Sequence, residues 1–175
     1  NGFSDVPAGK WYAVAVITLA NARAIKGYSN GTFQPAKPIT RAEFVTILTG
    51  IHGANTSKGM PFADVGSAWC HDAVATAYAN GWVGGYADGA FHPNQTITRA
   101  EAVSILNRVL GRQADEFTIN TSEGIRIMPD VPNTHWAYWD MLEATTDHKF
   151  DKSSGSEKWT SFDKETTDLT PGWHN

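Results

Sequence analysis

An internal repeat limits what this chain can fold into. Trp11 and Trp69 stand 58 positions apart, and at that same offset Gly27-Tyr28 meets Gly85-Tyr86. Gly31, Phe33 and Pro35 meet Gly89, Phe91 and Pro93, and Ile39-Thr40-Arg41-Ala42-Glu43 meets Ile97-Thr98-Arg99-Ala100-Glu101. Upstream of each tryptophan, "FSDVPAGKW" matches "FADVGSAW" with one residue deleted. Internal repetition of this kind marks a chain built from a few small repeats.

A third copy opens at "MPDVPNTHW", ending in Trp136, and places Met141 and Leu142 at the apolar positions of Val74 and Ala75. It then diverges: the glycine-tyrosine turn and the TRAE segment are missing. The sequence divides into repeat 1 (1–53), repeat 2 (60–111), a truncated repeat 3 (128–151) and a polar tail (152–175). We expect the tail to pack on the module, with Trp159 and Phe162 lying where the third copy lacks its second helix.

Each full copy reads as helix, turn, helix. The spacing of Trp11, Ala15, Thr18, Ala22 and Ile25 predicts a first helix over about 11–25, ended by Gly27. Asn30-Gly31 and Asp88-Gly89 are turn dipeptides. Thr40-x-x-Glu43 and Thr98-x-x-Glu101 are capping boxes, in which threonine accepts from a backbone N–H and glutamate reaches back to the cap. Val45, Leu48 and Ile51, then Val103, Leu106 and Val109, supply the apolar helix faces.

Composition excludes several classes. With 41% hydrophobic and 18% charged residues the chain is globular rather than disordered. A net charge of -4 gives no nucleic-acid footprint. No apolar run approaches the roughly 18 residues of a membrane span, and "NGFSDVPAGKW" has no signal-peptide pattern. The single cysteine, Cys70, allows no internal disulfide and is expected to be a buried or inert thiol. The six histidines form no HExxH and no close pair with that cysteine. No metal or cofactor is called for, and the chain is expected not to be an enzyme.

The motifs F-x-D-V (Phe3 to Val6, Phe62 to Val65), the following tryptophans, G-Y-x-[ND]-G-x-F-x-P and I-T-R-A-E resemble the S-layer homology repeat. That resemblance implies a mainly α fold of three helix-loop-helix repeats in a pseudo-threefold arrangement, here with a degenerate third. It implies an extracellular module on the bacterial cell wall or S-layer, tethered non-covalently to wall polysaccharide. It also implies inter-repeat grooves near the TRAE helix starts, a pyruvylated sugar as ligand, and TRAE arginines that meet the acidic ketal.

Beside the resemblance stands the chemistry of the residues. Threonine and glutamate of TRAE are explained by capping. Arg41 and Arg99 are not, because a helix N-terminus already carries about +0.5 charge and a cation there costs about 0.3–1 kcal/mol. A guanidinium beside free helix N–H groups suits a carboxylate; the competing reading is a salt bridge to Asp5 or Asp64. Those aspartates either orient an arginine or sugar, or hold a turn. Tyr28 and Tyr86 are candidate groove walls. Gly27 and Gly85 admit close backbone approach or simply end helices. Trp11, Trp69 and Trp136 are expected in the core, with sugar stacking as the alternative.

The sequence therefore points to a non-catalytic anchoring module for an acidic secondary cell-wall polysaccharide, with at most two arginine-based sites. Its expected partners are that polysaccharide and other surface-layer proteins through self-association, with no membrane insertion. One alternative is a structural or self-assembly module of a surface layer, its arginines closing internal salt bridges. A weaker one is a fragment of a cell-wall glycan hydrolase.

Overall fold

A computed structural model describes residues 2–53 and 59–162. The elements run α1 (Ala13–Asn21), α2 (Arg41–His52), α3 (His71–Ala79), α4 (Arg99–Leu110), α5 (Glu116–Thr121), α6 (Tyr138–Thr145), β1 (His148–Asp151) and β2 (Lys158–Phe162). The fold is mainly helical, as the motifs imply. The chain divides between Ile97 and Thr98 into two compact units.

In the first unit, Val6, Ala13, Val16 and Ile25 form a core that Phe3, Tyr12, Leu19 and Phe33 extend. The first helix is shorter than the periodicity predicts. α1 ends at Asn21, and its C-cap Ala22 returns its N–H to Thr18 and Ala20. Gly27 therefore does not terminate α1; it lies in the loop beyond.

The second copy is built on the same plan, burying Phe62, Val65, Val74 and Phe91. Cys70 is 1% exposed, and burial pushes its thiol pKa up, as an inert thiol requires. α2 packs on α3, and the His52 and Trp82 rings meet edge-on at 4.6 Å.

Both capping boxes form. Thr40 Oγ accepts from the Glu43 N–H at 3.2 Å while Glu43 accepts from the Thr40 N–H at 2.8 Å, and Thr98 and Glu101 repeat both distances. α2 and α4 end on Gly53 and Gly111 at φ 68° and 61°, the left-handed C-cap that glycine adopts without strain.

In the second unit, α4 lies against α6 through a polar seam. Ser104 Oγ donates to Asp140 at 2.6 Å, and Asn107 donates to the Asp140 carbonyl at 2.9 Å. After α6 comes a hairpin that the sequence reading did not anticipate. β1 and β2 pair antiparallel, with a bulge between Lys149 and Phe150. Trp159 of β2 is buried with Ile119, Val131, Tyr138 and Leu142, and Phe162 packs against that cluster. Asp115 caps α5 through the Thr118 N–H and also accepts from the Trp159 N–H at 3.0 Å. The tail beyond Phe162, residues 163–175, lies outside the described residues.

Candidate functional site

The two TRAE helix starts share a sequence and differ in surroundings. At the first, the N–H groups that a helix leaves without internal partners are already taken. Arg41 N–H donates to the Gln95 carbonyl at 2.8 Å, Ala42 N–H to the Pro93 carbonyl at 3.1 Å, and Glu43 N–H to its cap. Thr40 and Thr96 form an antiparallel bridge, with Ile97 N–H donating to Ile39.

The Arg41 side chain follows its backbone into the second copy. It is only 7% exposed, donates from Nη2 to the Gly84 carbonyl at 2.9 Å, and lies 5.0 Å from the Tyr86 ring and 4.8 Å from the Phe91 ring. Its helix start joins repeat 1 to the loop of repeat 2, while Asp5 and Asp64 bind backbone amides within their own copies.

Arg99 begins α4 under the same capping box but is exposed, and among the described residues its guanidinium meets no carboxylate. The physical cost of an arginine in the first turn is thus met by packing at Arg41 and left open at Arg99.

The aspartates hold turns. Asp5 accepts from the Phe33 and Gln34 N–H groups at 2.8 and 2.7 Å; Asp64 accepts from Phe91 and His92 at 3.0 and 2.8 Å. Each pair closes on a non-glycine residue in the left-handed region, Gln34 at φ 59° and His92 at φ 56°. The carboxylate offsets that local strain by binding two consecutive amides. The Phe33 N–H holds the Asp5 carboxyl below the usual aspartate range; at Asp64 burial pushes the other way, but the Phe91 and His92 N–H groups prevail.

The glycines and tyrosines are also accounted for within the fold. A Cβ on Gly27 would overlap the Phe3 ring and approach the Thr32 carbonyl to 2.7 Å; on Gly85 it would come within 2.7 Å of the Phe62 ring. Each glycine makes room for the phenylalanine of its own F-x-D-V motif. Tyr28 donates to Glu43 at 3.2 Å and accepts from Lys37 at 2.8 Å, while Tyr86 accepts from Gln95 at 3.3 Å. Both tyrosines remain half-exposed.

The tryptophans correct the core expectation. Trp11, Trp69 and Trp136 are 60%, 67% and 62% exposed. One turn repeats at all three: Ala13 N–H donates to Lys10, His71 to Ala68, and Tyr138 to His135, at 2.9, 3.0 and 3.0 Å. The residue after the indole goes inward instead, with Cys70 and Ala137 at 1% and 0% exposure. Helical periodicity misplaced the indoles because each lies ahead of its helix, in this turn.

These features define a class: a helical repeat module whose motif residues build inter-copy joints and leave one TRAE arginine and three indoles facing outward. The S-layer homology domain matches residues 2–45 and 61–103, and the chain belongs to that family. It is 32% identical over 154 residues to a cellulosome-anchoring protein of Acetivibrio thermocellus, covering 85% of this chain and 33% of that protein. It is 41% identical over 93 residues to a surface-layer 125 kDa protein of Lysinibacillus sphaericus, covering 53% and 8%. It is 29% identical over 164 residues to an endoglucanase of a Bacillus species, covering 89% and 17%. The chain thus spans a third or less of each of these relatives. The family and its surface-protein relatives place the module outside the cell, at the wall or surface layer. No helix among the described residues is long and apolar enough to cross a membrane.

Proposed function

We propose that this module anchors its parent protein non-covalently to an acidic polysaccharide of the bacterial cell wall, the acidic group being of the pyruvyl ketal type. Arg99 supplies the guanidinium for that carboxylate. The observation that carries the reading is its exposure in a helix start whose cap is already complete without it. An arginine there raises the local positive charge, and a carboxylate in two-point contact would offset it. The outward indoles Trp11 and Trp69 offer flat apolar faces to the sugar rings beside the acid. Tyr28, Tyr86, Gly27, Gly85, Asp5 and Asp64 shape the loops that border these surfaces.

A second reading has its own observation. Arg41 is enclosed by Gly84, Tyr86 and Phe91, which is the internal role expected of a structural module. We assign Arg41 to joining the repeats and Arg99 to the ligand. The test is sedimentation with purified sacculi before and after removal of the secondary polymer. Binding that disappears with the polymer supports the proposal; equal binding to stripped sacculi overturns it.

A further inference from the structure

The hairpin that completes the second unit brings together three residues with no motif in common. Glu143 comes from α6, His148 from β1, and Glu157 from the turn before β2. Their side chains are 1%, 2% and 1% exposed, and one donor atom from each lies within 4.8 Å of the others.

The arrangement has the geometry of a cation site. Tetrahedral ligands at metal distances of about 2.0–2.1 Å lie about 3.3 Å from one another. His148 Nε2 is 3.3 Å from Glu143 Oε1 and 3.3 Å from Glu157 Oε1. His148 Nδ1 lies 2.7 Å from the Thr146 carbonyl, which fixes its proton there and turns the Nε2 lone pair inward. Such a carbonyl contact is the usual outer support of a metal-binding imidazole. Trp159 Nε1 donates to Glu143 Oε2 at 3.0 Å and Gln113 N–H to Glu157 Oε2 at 3.3 Å, leaving the two Oε1 atoms to converge.

A cation already stands at the point of convergence. Arg112 Nη2 is 2.7 Å from Glu143 Oε1, 3.0 Å from Glu157 Oε1 and 2.7 Å from His148 Nε2. It serves them unequally. The Arg112 Nε also binds Glu157, at 3.1 and 3.2 Å, whereas Glu143 Oε1 is buried with no well-formed hydrogen bond. Burial accordingly raises the Glu143 carboxyl. At Glu157 burial acts the same way, but the bonds from Arg112 and from the Gln113 N–H bring it down to about 2. Arg112 is itself 25% exposed, beside an open cleft of about 470 Å³ lined by Leu106, Leu110, Asp147 and His148, so it has room to withdraw.

We propose that Glu143, His148 and Glu157 form a binding site for a divalent transition cation, with Arg112 as the internal counter-ion that the metal displaces. One imidazole and two carboxylates suit Zn²⁺ and its neighbours, with a fourth position open to water from the cleft. Bound metal would tie α6, β1 and the turn before β2 together, replacing the single charge of Arg112 by two, while Lys152 stays 3.3 Å from Glu157 Oε2.

The test uses the full chain after treatment with chelator, titrated with Zn²⁺ by calorimetry. The expected result is one site per chain, with a rise in melting temperature. Glu157→Gln and His148→Gln are each expected to weaken binding by more than about tenfold, because loss of even an outer partner costs about 10–100-fold. Arg112→Gln is expected to tighten it. Since a triad variant could fail to fold, Co²⁺ is titrated into the wild-type chain while tryptophan fluorescence is followed. Trp159 stacks on His148 at 3.9 Å and is expected to be quenched saturably, with Zn²⁺ reversing the effect and Trp159→Phe removing it. No Zn²⁺ binding by the wild-type chain overturns the proposal, whether or not Arg112→Gln binds. Binding that the triad variants leave unchanged, or Co²⁺ quenching that survives Trp159→Phe, overturns it equally.

Discussion

Arg41 Nη2 donates to the Gly84 carbonyl at 2.9 Å, carrying a charge from the first copy's second helix into the second copy's loop. A hydrogen bond from a charged group contributes about 1.5–3 kcal/mol, and cation–π contacts add about 0.5–2 kcal/mol. Arg41→Ala should therefore lower unfolding stability by about 2–3 kcal/mol in urea titration. Arg99→Ala, on an exposed side chain, should change it by less than about 0.5 kcal/mol. Equal effects would remove the distinction between the two arginines.

Gly27 and Gly85 separate close packing from ligand approach. Alanine at either position drives a methyl into the phenylalanine of the same copy, and overpacking of this kind costs about 1–3 kcal/mol. Gly27→Ala should be the worse of the two, because Gly27 also lies at φ 67°. Thermal unfolding measures both. Unchanged stability with lost glycan binding would return these glycines to the ligand.

The turn-holding aspartates predict an acid-sensitive fold. Both carboxyls are held below the ordinary aspartate value of 3.8. As pH falls through 3.8 the unfolded chain takes up protons before the folded one does, so the stability these groups contribute is complete above 3.8 and drains away as pH drops through the lower folded values. The urea midpoint should decline below about pH 4, and Asp64→Asn should flatten that decline. A decline of equal slope in Asp64→Asn assigns it to other groups.

Much of this fold was legible in the sequence, for local reasons. Thr40, Glu43, Thr98 and Glu101 act within one turn, and their capping boxes follow from spacing alone. The tryptophans were misread because periodicity treats a residue ahead of a helix as part of it. The separate fates of Arg41 and Arg99 depend on what each helix start meets in space, which two identical motifs cannot reveal. Asp5 and Asp64 act on amides 27 to 29 residues away. The Glu143, His148 and Glu157 cluster is assembled by α6 and the hairpin that follows it, and no local pattern announces it.

Outward indoles with little packing should be expendable for folding. Trp69→Ala is expected to change stability by less than about 0.5 kcal/mol while weakening binding to polymer-bearing sacculi several-fold. A loss of stability with unchanged binding would mean that the indole supports the fold after all.

The most direct measurement compares the affinity of wild-type chain, Arg99→Ala and Arg99→Lys for polymer-bearing sacculi, with folding checked by circular dichroism. The account predicts that Arg99→Ala folds normally and loses most binding. Arg99→Lys should recover only part of it, because a point charge cannot reproduce the two-point contact of a guanidinium with a carboxylate. Full binding by folded Arg99→Ala would contradict the account.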